Sequence, residues 1–173
     1  MLFRQKNGFT LLELIISCAI LAILIIIGLP YFQDIMAKQE INKISHQILA
    51  NIQLAKSHAA IQQSNVVICA TQNQRSCQAN QWQLGFIVFL DSNKNRQLDI
   101  QEQIIATELT NLKYGTLNWR GTLSIPSVTF QAPNGLPIGS NGSFYYCSTY
   151  NQPHYRFVLS NMGHVRIEYP RTC

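Results

Sequence analysis

One carboxylate lies inside the most apolar part of the chain. Glu13 follows a short stub that contains Arg4 and Lys6, and Phe9 to Leu29 is otherwise apolar or weakly polar. As a helix this stretch would be about 31 Å long, roughly the hydrocarbon thickness of a bilayer. A carboxylate inside a bilayer costs roughly 2.5–3.5 kcal/mol, so it usually has a partner and a function. Glu13 is therefore the first candidate functional residue.

The flanks of this apolar stretch predict its orientation and narrow its role. Basic residues before it predict a cytoplasmic N-terminus and an exported remainder. A secretory signal peptide would need a small-x-small cleavage site after the stretch, and Pro30-Tyr31-Phe32-Gln33 offers none. A plain signal anchor fits the length but leaves Glu13 unexplained.

The junction at the start of the stretch carries a family resemblance. Gly8-Phe9-Thr10-Leu11-Leu12-Glu13-Leu14 closely resembles the leader junction of type IV pilins and type II secretion pseudopilins. The resemblance implies that the prepilin peptidase cleaves between Gly8 and Phe9 and that the new Phe9 amine is methylated. It also implies that Glu13 pairs with the Phe9 amine of a neighbouring pilin or pseudopilin subunit during assembly.

The same resemblance implies a location. The protein would begin as a single-pass protein of the bacterial inner membrane, with its C-terminal domain in the periplasm. After assembly it would belong to a pilus or pseudopilus, at the tip if it primes assembly.

The chain has five cysteines, and each must be assigned to a disulfide or to another role. Cys18 lies in the membrane segment and is expected to be a small packing residue. The other four lie in the exported part, an oxidising compartment, and allow three pairings. We favour Cys69–Cys77, which brackets a short polar loop, and Cys147–Cys173, which would clip the last residue onto a strand. Zinc is the weaker alternative, because the chain has no CxxC pair or His/Cys cluster.

Hydrophobic periodicity predicts the elements that position these residues. Apolar residues recur at spacings of 3, 4, 4, 3 and 4 from Ile41 to Ala59, which indicates an amphipathic helix that ends near Gln62 to Asn65. Pro30 should kink this helix or loosen one turn. β-type patterns follow, and the expected strands are Val66–Ala70, Trp82–Leu90, Gln103–Leu109, Leu117–Ile125, Val128–Gln131, Phe144–Cys147, Tyr155–Ser160 and His164–Tyr169.

The last two expected strands carry the clearest alternation. Asn161-Met162-Gly163 between them is a hairpin signature, with glycine available for a left-handed position. Val165 and Ile167 should face the core, whereas His164, Arg166 and Glu168 should face solvent. The stretch from Ala132 to Gly142 is expected to be a long exposed loop.

A second motif narrows the resemblance. Residues Trp82-x-x-Gly85-Phe86-x-Val88-Phe89-x-Asp91-x-Asn93-x-Asn95 look like the GspH/FimT branch of pilin-like proteins, with Phe86 where a second Trp is usual. This implies an α+β pilin-like fold, a long N-terminal helix on an antiparallel two-sheet β domain. The expected parts are a cleaved leader (1–8), a transmembrane half-helix (9–29), an amphipathic half-helix (30–64) and a β-rich domain (65–173). The resemblance also implies that the protein is a minor subunit of a type IV pilus or of a type II secretion pseudopilus.

The same segment raises a metal question. Its oxygen-bearing side chains occupy positions 1, 3, 5, 9 and 12 of an EF-hand-like loop: Asp91, Asn93, Asn95, Asp99 and Glu102. Arg96 stands where position 6 requires glycine, and the flanks are predicted strands. The alternative, an Asp/Asn-rich turn whose side chains bond their own backbone, is favoured over calcium. No cofactor is expected.

Charge points to an anionic partner. The net charge is +5, or +3 once Arg4 and Lys6 leave with the leader. From Lys113 onwards Glu168 is the single acid, against five bases: Lys113, Arg120, Arg156, Arg166 and Arg171. A basic surface on a filament favours an anionic partner, although a merely solvated basic surface is the plain alternative.

Double-stranded DNA is the anionic partner that the resemblance implies. FimT-like proteins carry a C-terminal Gly-Arg-x-Arg motif associated with DNA binding, and Gly163-His164-Val165-Arg166 matches it except at His164. We expect weak, non-specific binding for natural transformation, with Arg166 as the main phosphate contact, helped by Arg156, Arg171 and His164. Histidine in place of arginine removes a permanent charge, so binding should be stronger at pH 6 than at pH 8.

Two further function classes stay open beside DNA binding. One is a purely structural minor pilin that primes assembly, and the other is a type II secretion pseudopilin. The sequence predicts no enzyme, because the four histidines are scattered and no P-loop, nucleophile elbow or Rossmann fingerprint is present.

Overall fold

The computed structural model describes residues 10–173. One long helix, α1 (Leu11–Gln62), precedes eight strands. These are β1 (Asn65–Ala70), β2 (Gly85–Asp91), β3 (Ile104–Leu109), β4 (Gly115–Gly121), β5 (Ser127–Phe130), β6 (Gly142–Ser148), β7 (Tyr155–Leu159) and β8 (Val165–Glu168). Gly8 and Phe9, the predicted cleavage and methylation sites, lie outside the described residues.

The chain forms two compact units, the first ending at Met36 and the second running Ala37–Cys173. In the first unit, the beginning of α1 is apolar and long enough to cross a membrane. Its leucine and isoleucine side chains are exposed, as expected of a surface that contacts lipid or other apolar helices. The helix continues through Pro30 without interruption.

The amphipathic part of α1 supplies the helical side of the core in the second unit. Ile41, Ile44, Ile48, Ile52, Ala55 and Ala59 are buried, at the spacing read from the sequence. Because three or four residues make one helical turn, these side chains share one face and pack against both sheets.

Two four-stranded antiparallel sheets complete the second unit. Sheet A has the strand order β3-β2-β1-β5, and sheet B has the order β4-β6-β7-β8. One core cluster joins the buried face of α1 to Phe86 of sheet A and to Phe144 and Phe157 of sheet B. The expected α+β fold, a long helix on two antiparallel sheets, is confirmed.

Strand β2 carries bulky apolar side chains on both faces, and each face is covered by a hydrophobic cluster. Phe86 and Val88 enter the main core. Ile87 and Phe89 join a smaller cluster on the other face of sheet A, where Cys77 and Leu98 pack over them.

Strand β2 begins later, and strand β4 ends earlier, than the sequence predicts. Trp82 is buried, yet β2 starts only at Gly85, because the amides of Leu84 and Gly85 bond back to the Gln81 carbonyl and close a turn. Strand β4 ends at Gly121 instead of Ile125. Leu123 and Ser124 have φ near +56° and +58°, which is incompatible with an extended strand.

Both disulfides favoured from the sequence are present. Cys69 bonds Cys77, and Cys147 bonds Cys173, with Cα atoms 5.5 and 5.8 Å apart. Within the described residues Cys18 is the free cysteine.

Candidate nucleic-acid interface

The hairpin of β7 and β8 closes through a glycine-dependent turn. The amide of Ser160 donates to the carbonyl of His164, and the amide of Gly163 donates to the carbonyl of Ser160, both at 3.0 Å. Gly163 has a φ of +72°, a left-handed conformation that glycine adopts without strain. The turn fixes the register in which Val158 faces Arg166 and Arg156 faces Glu168.

In that register the β8 side chains alternate between the core and the outer face, as the sequence predicted. Val165 and Ile167 pack against the core, whereas Arg166 lies on the outer face of sheet B and its side chain is 75% exposed. His164 lies just before β8 and is exposed.

Glu168 connects the two arginines that the sequence singled out in this hairpin. Its Oε2 lies 3.3 Å from Nη1 of Arg156, and its Oε1 lies 2.5 Å from Nη2 of Arg166. The carboxylate is about two-thirds covered, so water screens this bridge less than it screens an open surface pair. The structure therefore brings Arg156 and Arg166 together, but around a shared counter-charge that sequence reasoning had only counted as an acid.

A third arginine joins the outer face from the opposite edge of the sheet. Cζ of Arg120, on β4, lies 4.4 Å from the centroid of the Tyr145 ring, and Cζ of Arg156 lies 5.3 Å from the same centroid. Strands β4 and β7 flank β6, so the two guanidinium groups reach Tyr145 from opposite sides. Such cation–π contacts hold the guanidinium groups in place on the face.

The tail adds a fourth arginine. Cys147 lies two residues beyond Tyr145 on β6, so its side chain points to the same face of sheet B. The bond to Cys173 fixes the chain terminus there. Arg171 is exposed and two residues from Cys173, and consecutive Cα atoms are only about 3.8 Å apart. It must therefore lie near the Cys147 end of the face.

Arg120 and Tyr145 are the residues that sequence reasoning missed for this site. Arg120 was counted in the basic C-terminal region, but its place on the face depends on the pairing of β4 with β6. We call Arg120, Tyr145, Arg156, Arg166 and Glu168 the outer-face cluster.

A tyrosine pair lies at the other end of the hairpin. Tyr155 and Tyr169 meet edge to face, with ring centroids 4.9 Å apart. Burial raises the pKa of Tyr155, and the neighbouring Tyr169 raises it further. A raised pKa keeps the Tyr155 ring neutral at physiological pH, so the arginines dominate the charge beside it.

The weak calcium candidate is a hydrogen-bonded loop in the structure. Buried Asp91 accepts the amides of Asn95 and Arg96 on its two oxygens, at 3.0 and 3.1 Å. Asp99 accepts side-chain amides from Asn93 and Asn95, and Glu102 accepts the amides of Ser92 and Asp99. Hydrogen bonds of this kind, from side-chain oxygens to nearby backbone amides, are what an Asp/Asn-rich turn is expected to make.

Glu13 lies in the first turn of α1 and is exposed. Its backbone amide donates to Oγ1 of Thr10 at 3.3 Å, which caps the start of the helix. The carboxylate is thus available on the helix surface.

Comparisons with known proteins agree on one family. Residues 45–163 match the profile of Type II transport protein GspH, and residues 3–29 match the prokaryotic N-terminal methylation motif. Over 47 residues the chain is 49% identical to fimbrial protein EcpB of Eikenella corrodens, covering 27% of this chain and 29% of that protein. Over 101 residues it is 28% identical to a fimbrial protein of Pseudomonas aeruginosa, and the match covers 57% of this chain and 62% of that protein. It thus spans less than two-thirds of either relative.

A solved structure shows the same fold. The crystal structure of the Pseudomonas aeruginosa type IV minor pilin FimU superposes with a TM-score of 0.58 at 18% identity, covering 79% of this chain and 96% of that one. A second crystal form of FimU superposes with a TM-score of 0.54.

Proposed function

This chain belongs to the GspH family of type IV pilin-like proteins, which are structural proteins and not enzymes, and we propose that it is a minor pilin whose exported domain binds double-stranded DNA. The methylation motif implies processing by the prepilin peptidase and assembly with other pilins. DNA binding would give the filament a role in uptake for natural transformation.

The observation that carries the DNA proposal is the arginine content of one face. Arg120, Arg156 and Arg166 project from sheet B, and Arg171 is held near it by the Cys147–Cys173 bond. Phosphates are the natural ligands of clustered guanidinium groups. Within the described residues this face is built from the strands of sheet B and the tail, and it offers no recognition helix for the major groove. Backbone charge, not base reading, should therefore set the affinity.

The expected binding is weak and salt-dependent. Three to four phosphate contacts predict a slope of log K against log salt of roughly −3 and a micromolar or weaker Kd. The slope and a low preference among duplex sequences follow from the same charge-dominated contact.

The test uses the full processed chain in neutral detergent, with a fluorescent duplex as probe. We expect Arg166→Ala to weaken binding and Arg166→Glu to abolish it. Arg75→Ala removes the same charge from a loop over sheet A and should change little, which makes it the matched control. The effect of His164 is tested by comparing pH 6 with pH 8 in the wild type and in His164→Ala.

A structural role without DNA is the second candidate. It is favoured by the Glu168 bridge, which already neutralises part of the charge on the hairpin. If the wild type does not bind at low salt, or if Arg166→Glu binds as well as the wild type, priming of filament assembly becomes the better account. Co-purification of the tagged chain with pilus subunits or with secretion subunits then separates minor pilin from pseudopilin.

A further inference from the structure

We propose that the outer-face cluster is an anion site whose own carboxylate, Glu168, competes with phosphate for Arg156 and Arg166, so that Arg120 is the guanidinium that phosphate engages first. This inference rests on the proposed DNA binding and adds a contact residue and an internal competitor to it.

The cluster is laid out in two rows across sheet B. Arg120, Ser143, Val158 and Arg166 are successive partners across the four strands, and Asn118, Tyr145, Arg156 and Glu168 form the neighbouring row. With strands about 4.8 Å apart, Arg120 and Arg166 stand roughly 14 Å from each other. Glu168 lies at the β8 end of this span, beside Arg166 and far from Arg120.

The three arginines therefore differ in what they already bind. Arg156 donates from Nη1 to Glu168 and from Nε to Ser143 Oγ, and Arg166 donates to Glu168. Within residues 10–173, no carboxylate lies within ion-pair distance of Arg120. Its guanidinium group rests on Tyr145, which offers orientation without neutralising the charge.

A phosphate that approaches the hairpin must displace Glu168, whereas a phosphate that approaches Arg120 meets an uncompensated cation. Charge-assisted contacts to carboxylate and to phosphate are alike in geometry, so the two anions compete for the same donors. The carboxylate has the advantage of being tethered, because Glu168 and Arg166 are two residues apart on one strand.

Two substitutions separate these roles. Glu168→Gln keeps an oxygen that can accept one arginine hydrogen bond but removes the competing charge. We expect about tenfold tighter duplex binding at 50 mM salt and a log–log salt slope steeper by about 0.9, as one further contact is released. Arg120→Ala should weaken binding about tenfold and make the slope shallower by about 0.9.

Matched variants control for total charge and for packing. Glu102→Gln and Arg75→Ala make the same charge changes on loops over sheet A and should leave binding unchanged. Arg120→Lys keeps the charge, so it should retain most of the binding that Arg120→Ala loses. Near-ultraviolet circular dichroism confirms that each full-length variant in neutral detergent keeps the fold.

The outcomes distinguish this inference from the function on which it rests. If Arg166→Glu abolishes binding while Glu168→Gln or Arg120→Ala matches the wild type, the competition is overturned and DNA binding by the hairpin stands. If the wild type does not bind but Glu168→Gln does, competition is supported and DNA binding by the native chain fails. If neither binds, both fail.

Discussion

The hydroxyl of Tyr146 donates a hydrogen bond to Oε1 of Glu40, with 2.8 Å between the oxygens, although 106 residues separate the two positions. The same carboxylate accepts the backbone amides of Lys113 and Tyr114 at 2.7 and 3.1 Å. One side chain of α1 thus holds the start of β4 and the middle of β6. Because Tyr146 is buried and bonded to a carboxylate, its pKa is raised well above the ordinary tyrosine value.

Tyr146→Phe should destabilise the second unit by about 1.5–3 kcal/mol at pH 7, because a hydrogen bond to a charged acceptor is lost. The raised pKa of Tyr146 also makes the free energy of unfolding depend on pH in the alkaline range. Below pH 10 both folded and unfolded Tyr146 are protonated, whereas above it only the unfolded tyrosine ionises, so stability falls as pH rises.

The measurement is unfolding in denaturant at pH 7, 9.5 and 10.5. The wild type should lose more stability between the two alkaline points than Tyr146→Phe does. Tyr31→Phe, at an exposed tyrosine outside the second unit, is the matched control and should behave like the wild type. Equal alkaline losses in wild type and Tyr146→Phe would contradict the role given to this hydroxyl.

Glu13→Ala should block incorporation into filaments without blocking leader removal. The carboxylate is exposed on α1, and we expect the methylated Phe9 amine of a neighbouring subunit to neutralise it. Mass spectrometry of the membrane-inserted protein checks processing, and subunit content of sheared filaments checks assembly. Glu13→Asp keeps the charge and should retain partial incorporation. A mature chain that begins anywhere but Phe9 would refute cleavage after Gly8.

The two disulfides should differ in their contribution to stability. The Cys147–Cys173 bond closes 26 residues and the Cys69–Cys77 bond closes 8, so loop entropy predicts about 3.5 and 2.5 kcal/mol. Paired serine variants, compared by denaturant unfolding, test the order. Alkylation without reduction should label Cys18 alone. Recovery of a Cys69–Cys147 peptide would show that a different pairing forms.

Asp91→Ala should destabilise the loop that follows β2. It removes a buried acceptor of two backbone amides; Asn93 Oδ1 still accepts the Asn95 amide, so the loss is mainly that of the Arg96 amide and should cost about 1–3 kcal/mol. Asp99→Ala, on the exposed part of the same loop, should cost less. Calcium at 1 mM should leave the melting temperature unchanged, and a clear upward shift would restore the metal site.

Most of the elements could be predicted because they depend on neighbours in sequence. Ile41 to Ala59 repeat with the helical period, and Tyr155 to Glu168 alternate about a Gly163 turn. The predicted strands were wrong where an apolar side chain stands on backbone that is not extended. Trp82 packs into the core from a turn, and the strand through Leu117 stops early because Leu123 is left-handed.

The sequence by itself determined a membrane-length helix with one carboxylate, an amphipathic continuation, a β domain with paired cysteines and a basic C-terminal region. Each of these follows from composition or from short spacings. Tertiary structure alone decided that Arg120 rests on Tyr145 and that Glu168 bridges Arg156 and Arg166. The physical reason is that strand pairing sets which side chains meet across a sheet. That register depends on the core packing of all four strands together.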